Sequence, residues 1–212
     1  MNCSLAQTLP AWLAAIGTLT VAILAIWGDW VRSTFAGPKV ELSLRDPGGD
    51  PTKRANGIRA IYYHITVKNT RTWSAAKEVR LMVVGVDKRA ADGTYMPEHL
   101  AVPLQLNWAF PWVHEQFPTI VQEDVCDFGF LDEGAGQFEL AVYARPNNLK
   151  GYVRSNEGMR VHIMASGHNV PPSEPLIIEV VWNGAWSANQ EEMRRQLVIR
   201  EVKEKPTAKV PR

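Results

Sequence analysis

The residues able to do chemistry are few, and their spacing withholds most of it. His114-Glu115-Gln116-Phe117-Pro118 begins like a zinc-protease helix, but Pro118 stands where the second histidine is needed and breaks the turn. His162 and His168 would lie ~20 Å apart on an extended chain, too far to share a metal. His64 and His162 fall on the polar positions of alternating runs, where ordinary exposed histidines are expected. Gly134-Ala135-Gly136 sits between two strand-like runs and has no lysine after it, so it reads as a hairpin turn and not a phosphate loop. Ser166 and Ser187 lack the surroundings of a nucleophile elbow. Cys126-Asp127 has no histidine near it in sequence, and a buried structural thiol is expected. Asp127, Asp132 and Glu133 lack the ligand series of a calcium loop. The pattern predicts no catalytic residue, no metal, no cofactor and no enzyme.

The elements around these residues are mostly strands. Val40, Leu42 and Leu44 alternate with polar residues, as do Ile61, Tyr63, Ile65 and Val67. Further runs begin at Val79, Phe138, Met159, Leu176 and Leu197, with weaker ones at Val102–Leu106 and Thr119–Phe130. About eight or nine strands with no crossover helix between them predict antiparallel sheets. One apolar face per strand asks for a covering sheet, hence an Ig-like β-sandwich over residues 39–203, with a partly closed barrel as the rival. One short helix is legible near the end. Ser187 with Gln190, or Asn189 with Glu192, fits an N-cap, Glu191 and Arg195 are spaced as a pair, and Asn183-Gly184 fits a tight turn. Residues 204–212 are polar and basic and are expected to be a disordered tail.

Before the strands comes a different kind of segment. From Leu9 to Gly28 the chain carries no charge, and as a helix it would span about 30 Å, the thickness of a bilayer core. It is apolar all round, unlike a core helix, and it lacks the basic start of a signal peptide. Trp12 at one end, with Trp27 and Trp30 at the other, fits two membrane interfaces, and Arg32 follows. The prediction is a short N-terminal segment (1–8), a transmembrane helix (9–30) and a linker (31–38). Arg32, Lys39 and Arg45 follow the helix while no Lys or Arg precedes it. The expected orientation in the cell (inner) membrane is therefore N-terminus outside and main domain cytoplasmic. Ala14, Thr18 and Ala22 recur every four residues, a small-residue face suited to homo-oligomerisation through the helix.

Two surfaces and a charge remain. Trp108, Phe110, Trp112 and Phe117 crowd a Pro-punctuated stretch, with Trp73 a smaller candidate of the same kind. They are expected to form an interaction surface for a protein partner, the alternative being that Trp108 fills the core. A net charge of +1 gives no field for nucleic acid. "WGDWVRSTFAGPKVELSL", "LQLNW" and "WNGAWSANQEEM" together resemble a group of uncharacterised bacterial single-pass membrane proteins with an Ig-like β-sandwich. The resemblance implies the architecture and no activity. The functional expectation is a bilayer-anchored cytoplasmic binding or scaffolding module, docking through sheet edges by strand addition or through its loops. The alternative is a membrane-acting effector, for example in anti-phage defence, whose anchors cluster to perturb the bilayer.

Overall fold

The computed structural model describes residues 12–23, 25, 27–28, 36–109 and 117–203. The chain separates into an N-terminal unit, Met1–Gly37, and a second unit, Pro38–Arg212. In the first, residues 12–23 form helix α1, and residues 25, 27 and 28 share its helical state. Trp12 is 70% exposed, and Leu13, Ile16, Leu19, Val21, Ile23 and Trp27 are exposed with it. The hydroxyls of Thr18 and Thr20 donate to the carbonyl oxygens of Ala14 and Ile16, each at 2.8 Å, so neither is left unpaired along the helix. Among the described residues no helix is long and apolar enough to cross a membrane. Leu9, Trp30, Arg32 and the tail at 204–212 lie outside the described residues.

The second unit is mainly β, built as two antiparallel sheets that share one apolar core. One sheet has the order β1 (Val40–Leu44), β3 (Arg59–Asn69), β7 (Glu123–Asp132), β8 (Gln137–Leu140), β9 (Tyr152–Arg154). The other runs β12 (Leu197–Glu201), β11 (Leu176–Trp182), β10 (Glu157–Ser166), β4 (Arg80–Arg89), β5 (Tyr95–Glu98). The alternation read from sequence places the core. Ile61, Tyr63, Ile65 and Val67 of β3 are buried, and so are Val161, Ile163, Ile178 and Val180 of the facing sheet.

Both sheets have a broken edge. β2 (Asp50–Lys53) pairs with the first half of β3 while β1 pairs with its second half. Likewise β6 (Leu104–Gln105) and β5 share the outer side of β4. Pro51 lies in β2 and Pro97 in β5, where a missing N–H costs no ladder bond only because the position is at an edge. Asp50 and Pro51, at the end of the Gly- and Pro-rich stretch that follows β1, begin β2. Strand addition, which needs a continuous unpaired edge, finds little purchase on these margins. β9 is only three residues long, and the Glu201 carboxylate at the end of β12 accepts from the Leu44 N–H of β1 at 2.6 Å.

The segment after β6 switches sheets. Leu106 donates to Leu81 of β4, then Asn107 donates to Ala141 and accepts from Asp127, and Ala109 donates to Val125 of β7. This crossing carries Trp108 inward, where it bridges to Cys126 and is 4% exposed.

The late helix is α2, Gln190–Gln196, capped by Asn189, whose side chain accepts from the N–H groups of Glu191 and Glu192. Ser187 supports the cap instead of making it: its hydroxyl accepts from Asn189 N–H at 3.0 Å and donates to Glu192 at 2.7 Å. Glu191 meets Arg194, in the i,i+3 sense, and not Arg195; Arg194 also reaches Asp46. Asn183-Gly184 does not close a two-residue hairpin, since α2 is inserted before β12 begins, although Gly184 does take φ +95°.

Candidate functional site

The outer faces of the two sheets carry the polar chemistry. On the first sheet, His64 of β3 lies between Asp50 of β2, at 3.1 Å from Nε2, and Asp127 of β7, at 2.9 Å from Nδ1. The second approach is short but lacks the alignment of a hydrogen bond. Tyr62 stacks on Phe130 with ring centres 5.5 Å apart, and the Arg54 guanidinium caps Phe130 at 4.5 Å while its Nε donates to Asp132. On the second sheet, His162 Nε2 is 2.8 Å from the Asp87 carboxylate. Neither histidine is the exposed residue that alternation predicts. Each sits where the register slips, at Tyr63/His64 and at His162/Ile163. A bulge re-aims side chains locally, and here it turns both rings toward aspartates on neighbouring strands.

The densest cluster surrounds Glu179 in the middle of β11. Register sets Arg200 of β12 on one side of it and Arg160 of β10 on the other, with Asp87 of β4 next in the row. Arg160 donates from Nε at 3.0 Å, and Arg200 donates from Nε at 2.8 Å and also from Nη2. Tyr95 reaches the same carboxylate because the β4–β5 hairpin arches over β10, and the Arg160 guanidinium lies 3.9 Å from the Tyr95 ring centre. Glu179 is consequently 3% exposed although it belongs to an outer face. Burial pushes its carboxyl upward, but the donors of Arg200, Arg160 and Tyr95 together outweigh it and hold the group below the usual carboxylate range. Burial and the bond to Glu179 push the Tyr95 phenol upward.

Beside this cluster is a cleft of about 440 Å³. Its lip carries Arg89 and Tyr95, and Val181 and Val198 form its apolar side. Gly158 sits beneath the lip: a Cβ there would fall 3.0 Å from the Arg89 side chain and 3.4 Å from the Tyr95 hydroxyl. The missing side chain lets the hairpin close down over the sheet.

The residues singled out from sequence are scattered differently. Trp108 belongs to the core, which is the alternative weighed for it. Phe117 is half-buried under the Arg80 guanidinium, 4.1 Å from its ring centre. Phe110 and Trp112 lie outside the described residues. Among the three described, Trp73 is the exposed ring, 73% exposed in the loop after β3. Buried Asn69 fixes that loop, donating to the Ser74 carbonyl at 2.8 Å and accepting from the Arg71 N–H at 3.1 Å. Ala14, Thr18 and Ala22 are exposed on α1. Cys126 is buried, and burial together with Asp127 and Asp124 pushes its thiol well up, which makes it inert.

Sequence alone signals Glu179 only as a polar residue inside the apolar run "LIIEVVW"; its partners come from strands separated by up to 84 residues of chain from Tyr95 to Glu179. No family model, no curated protein and no solved structure matches the chain.

Proposed function

We propose that the protein is a membrane-anchored binding module, with residues 9–30 in the bilayer of the cell membrane and the sandwich in the cytoplasm as the part that engages partners. The observation that carries this reading is α1 itself. Trp12, Leu13, Ile16, Leu19, Val21 and Ile23 are all exposed, and its only hydroxyls, Thr18 and Thr20, are satisfied within the helix. Water disfavours such a surface, at ~25 cal/mol per Å² of apolar area, and lipid does not. The reading also takes in residues 9–11, 24, 26 and 29–30, which lie outside the described residues. The Ig-like assignment and the likeness to bacterial single-anchor proteins belong to the same proposal. Their support is the tryptophan-flanked segment leading straight into β1. One departure is plain: β8 and β9 follow β7 as a meander, where an Ig sandwich has a strand that precedes its equivalent.

Alkaline carbonate extraction of membranes from expressing cells tests the anchor. The full chain is expected in the pellet and is released only by detergent; release by carbonate overturns the reading. A second reading, the membrane-acting effector, is favoured by one detail. Thr18 folds its hydroxyl back onto Ala14, leaving Ala14, Thr18 and Ala22 a smooth face for close helix approach. If anchors cluster through that face, overexpression depolarises the membrane, and Ala14→Leu or Ala22→Leu suppresses the effect. Unchanged potential in the unsubstituted protein eliminates the effector.

A further inference from the structure

We infer that the cleft beside Glu179 binds the phosphate of a small soluble phosphomonoester. Three guanidinium groups converge there, those of Arg89, Arg160 and Arg200, against the single carboxylate of Glu179. Among the residues that line the cleft the balance is three positive charges and one negative, a surplus of two; Asp87, next in the row, lies against His162. A phosphomonoester carries about −1.5 to −2 near neutral pH and matches that surplus, whereas a carboxylate covers about half of it.

The donors are arranged for such a group. Glu179 occupies Nε and Nη2 of both Arg160 and Arg200. Of the five N–H donors on each guanidinium, this leaves about three apiece for a ligand. Arg89 makes no ion pair with a carboxylate among the described residues, so its whole fork is available. The buried carboxylate serves as the fixed post that orients two arginines before any ligand arrives, which lowers the ordering cost of binding. Val181 and Val198 offer an apolar wall for the body of the ester. With a volume of about 440 Å³ and two valines on its apolar side, the cleft suits the body of a small ester. The inference stands whether or not residues 9–30 lie in a bilayer.

The test is isothermal titration of the detergent-solubilised full chain with phenyl phosphate and with inorganic phosphate, alongside flotation with vesicles of phosphatidylcholine containing phosphatidate. Saturable binding of phenyl phosphate is expected, weakened at high salt. Arg89→Met is expected to weaken it about 10-fold, the scale of one lost charge-assisted contact. Because Arg89 stands outside the Glu179 network, R89M should keep the unfolding midpoint of the parent. Gly158→Val, which presses on Arg89 and the Tyr95 hydroxyl and so displaces the lip, should also weaken binding, while Arg195→Met on α2 should leave it unchanged. No saturable heat with phenyl phosphate, equal affinity in a folded R89M, or binding confined to the phosphatidate vesicles each overturns the proposal.

Discussion

Glu179 illustrates how a single side chain can be buried without being in the core. It points away from the apolar interior, yet Arg160, Arg200 and Tyr95 close over it, and all three donate to it. Replacing it with glutamine leaves two guanidinium groups crowded with no counter-charge, and a loss of about 2–3 kcal/mol in stability is expected from denaturant unfolding. The pH dependence has a definite sign. Because the folded carboxyl titrates below its ordinary value, its contribution is complete above the ordinary carboxylate range and is lost as pH falls through the lowered one. The unfolding midpoint should therefore drop below about pH 4, and Glu179→Gln should lack that part of the drop. An unaltered acid profile in the variant contradicts the assignment. Gly129 shows the opposite economy, of space: a Cβ there would fall 2.7 Å from the Glu139 carbonyl oxygen and closer still to Phe138, so β7 can approach β8 only without a side chain.

At the scale of elements, α2 is a clamp. It is seven residues long, too short to persist alone, and is held by what it touches. Met193 is fully buried beneath it, Gln190 donates to the Gly49 carbonyl at 2.6 Å, and Arg194 reaches Asp46 at 2.6 Å. These contacts pin the break between β1 and β2 to the opposite sheet's final connection. Asn189→Ala should cost about 1 kcal/mol in thermal unfolding, while Asn189→Asp, which keeps the accepting oxygen, should cost little. Equal losses in both variants would show that the cap does not hold the helix. Much of this level was legible in the sequence. Period-two alternation located β3, β10 and β11, and the capping residues located α2, because each is encoded by neighbours in the chain. The short strands β2, β5 and β9 were not legible, since Asp50-Pro51 and Met96-Pro97 carry turn-like composition and pair only because β3 and β4 are long enough to receive a second partner. The histidine–aspartate contacts were hidden for a related reason. A bulge shifts register without leaving a local mark, so His64 and His162 look like exposed positions until their strands are paired. The Glu179 cluster is assembled from four strands, and no linear spacing announces it.

For the molecule as a whole, the testable question is which compartment receives the sandwich. Lys and Arg follow α1 and do not precede it, and among them Lys39 and Arg45 flank β1 in the described structure. With the N-terminus outside, a C-terminal reporter that works only in the cytoplasm should be active, and protease added to intact cells should leave the sandwich whole. The reverse pattern would place the Glu179 cleft outside the cell and redirect the search for its ligand there. The interrupted sheet margins matter here too. A chain confined to a surface meets its own copies at far higher density than one free in three dimensions, and continuous borders under such crowding would seed cross-β growth. With β1 parted from β2, β5 parted from β6, and a proline seated in each broken border, these margins offer little template for such growth.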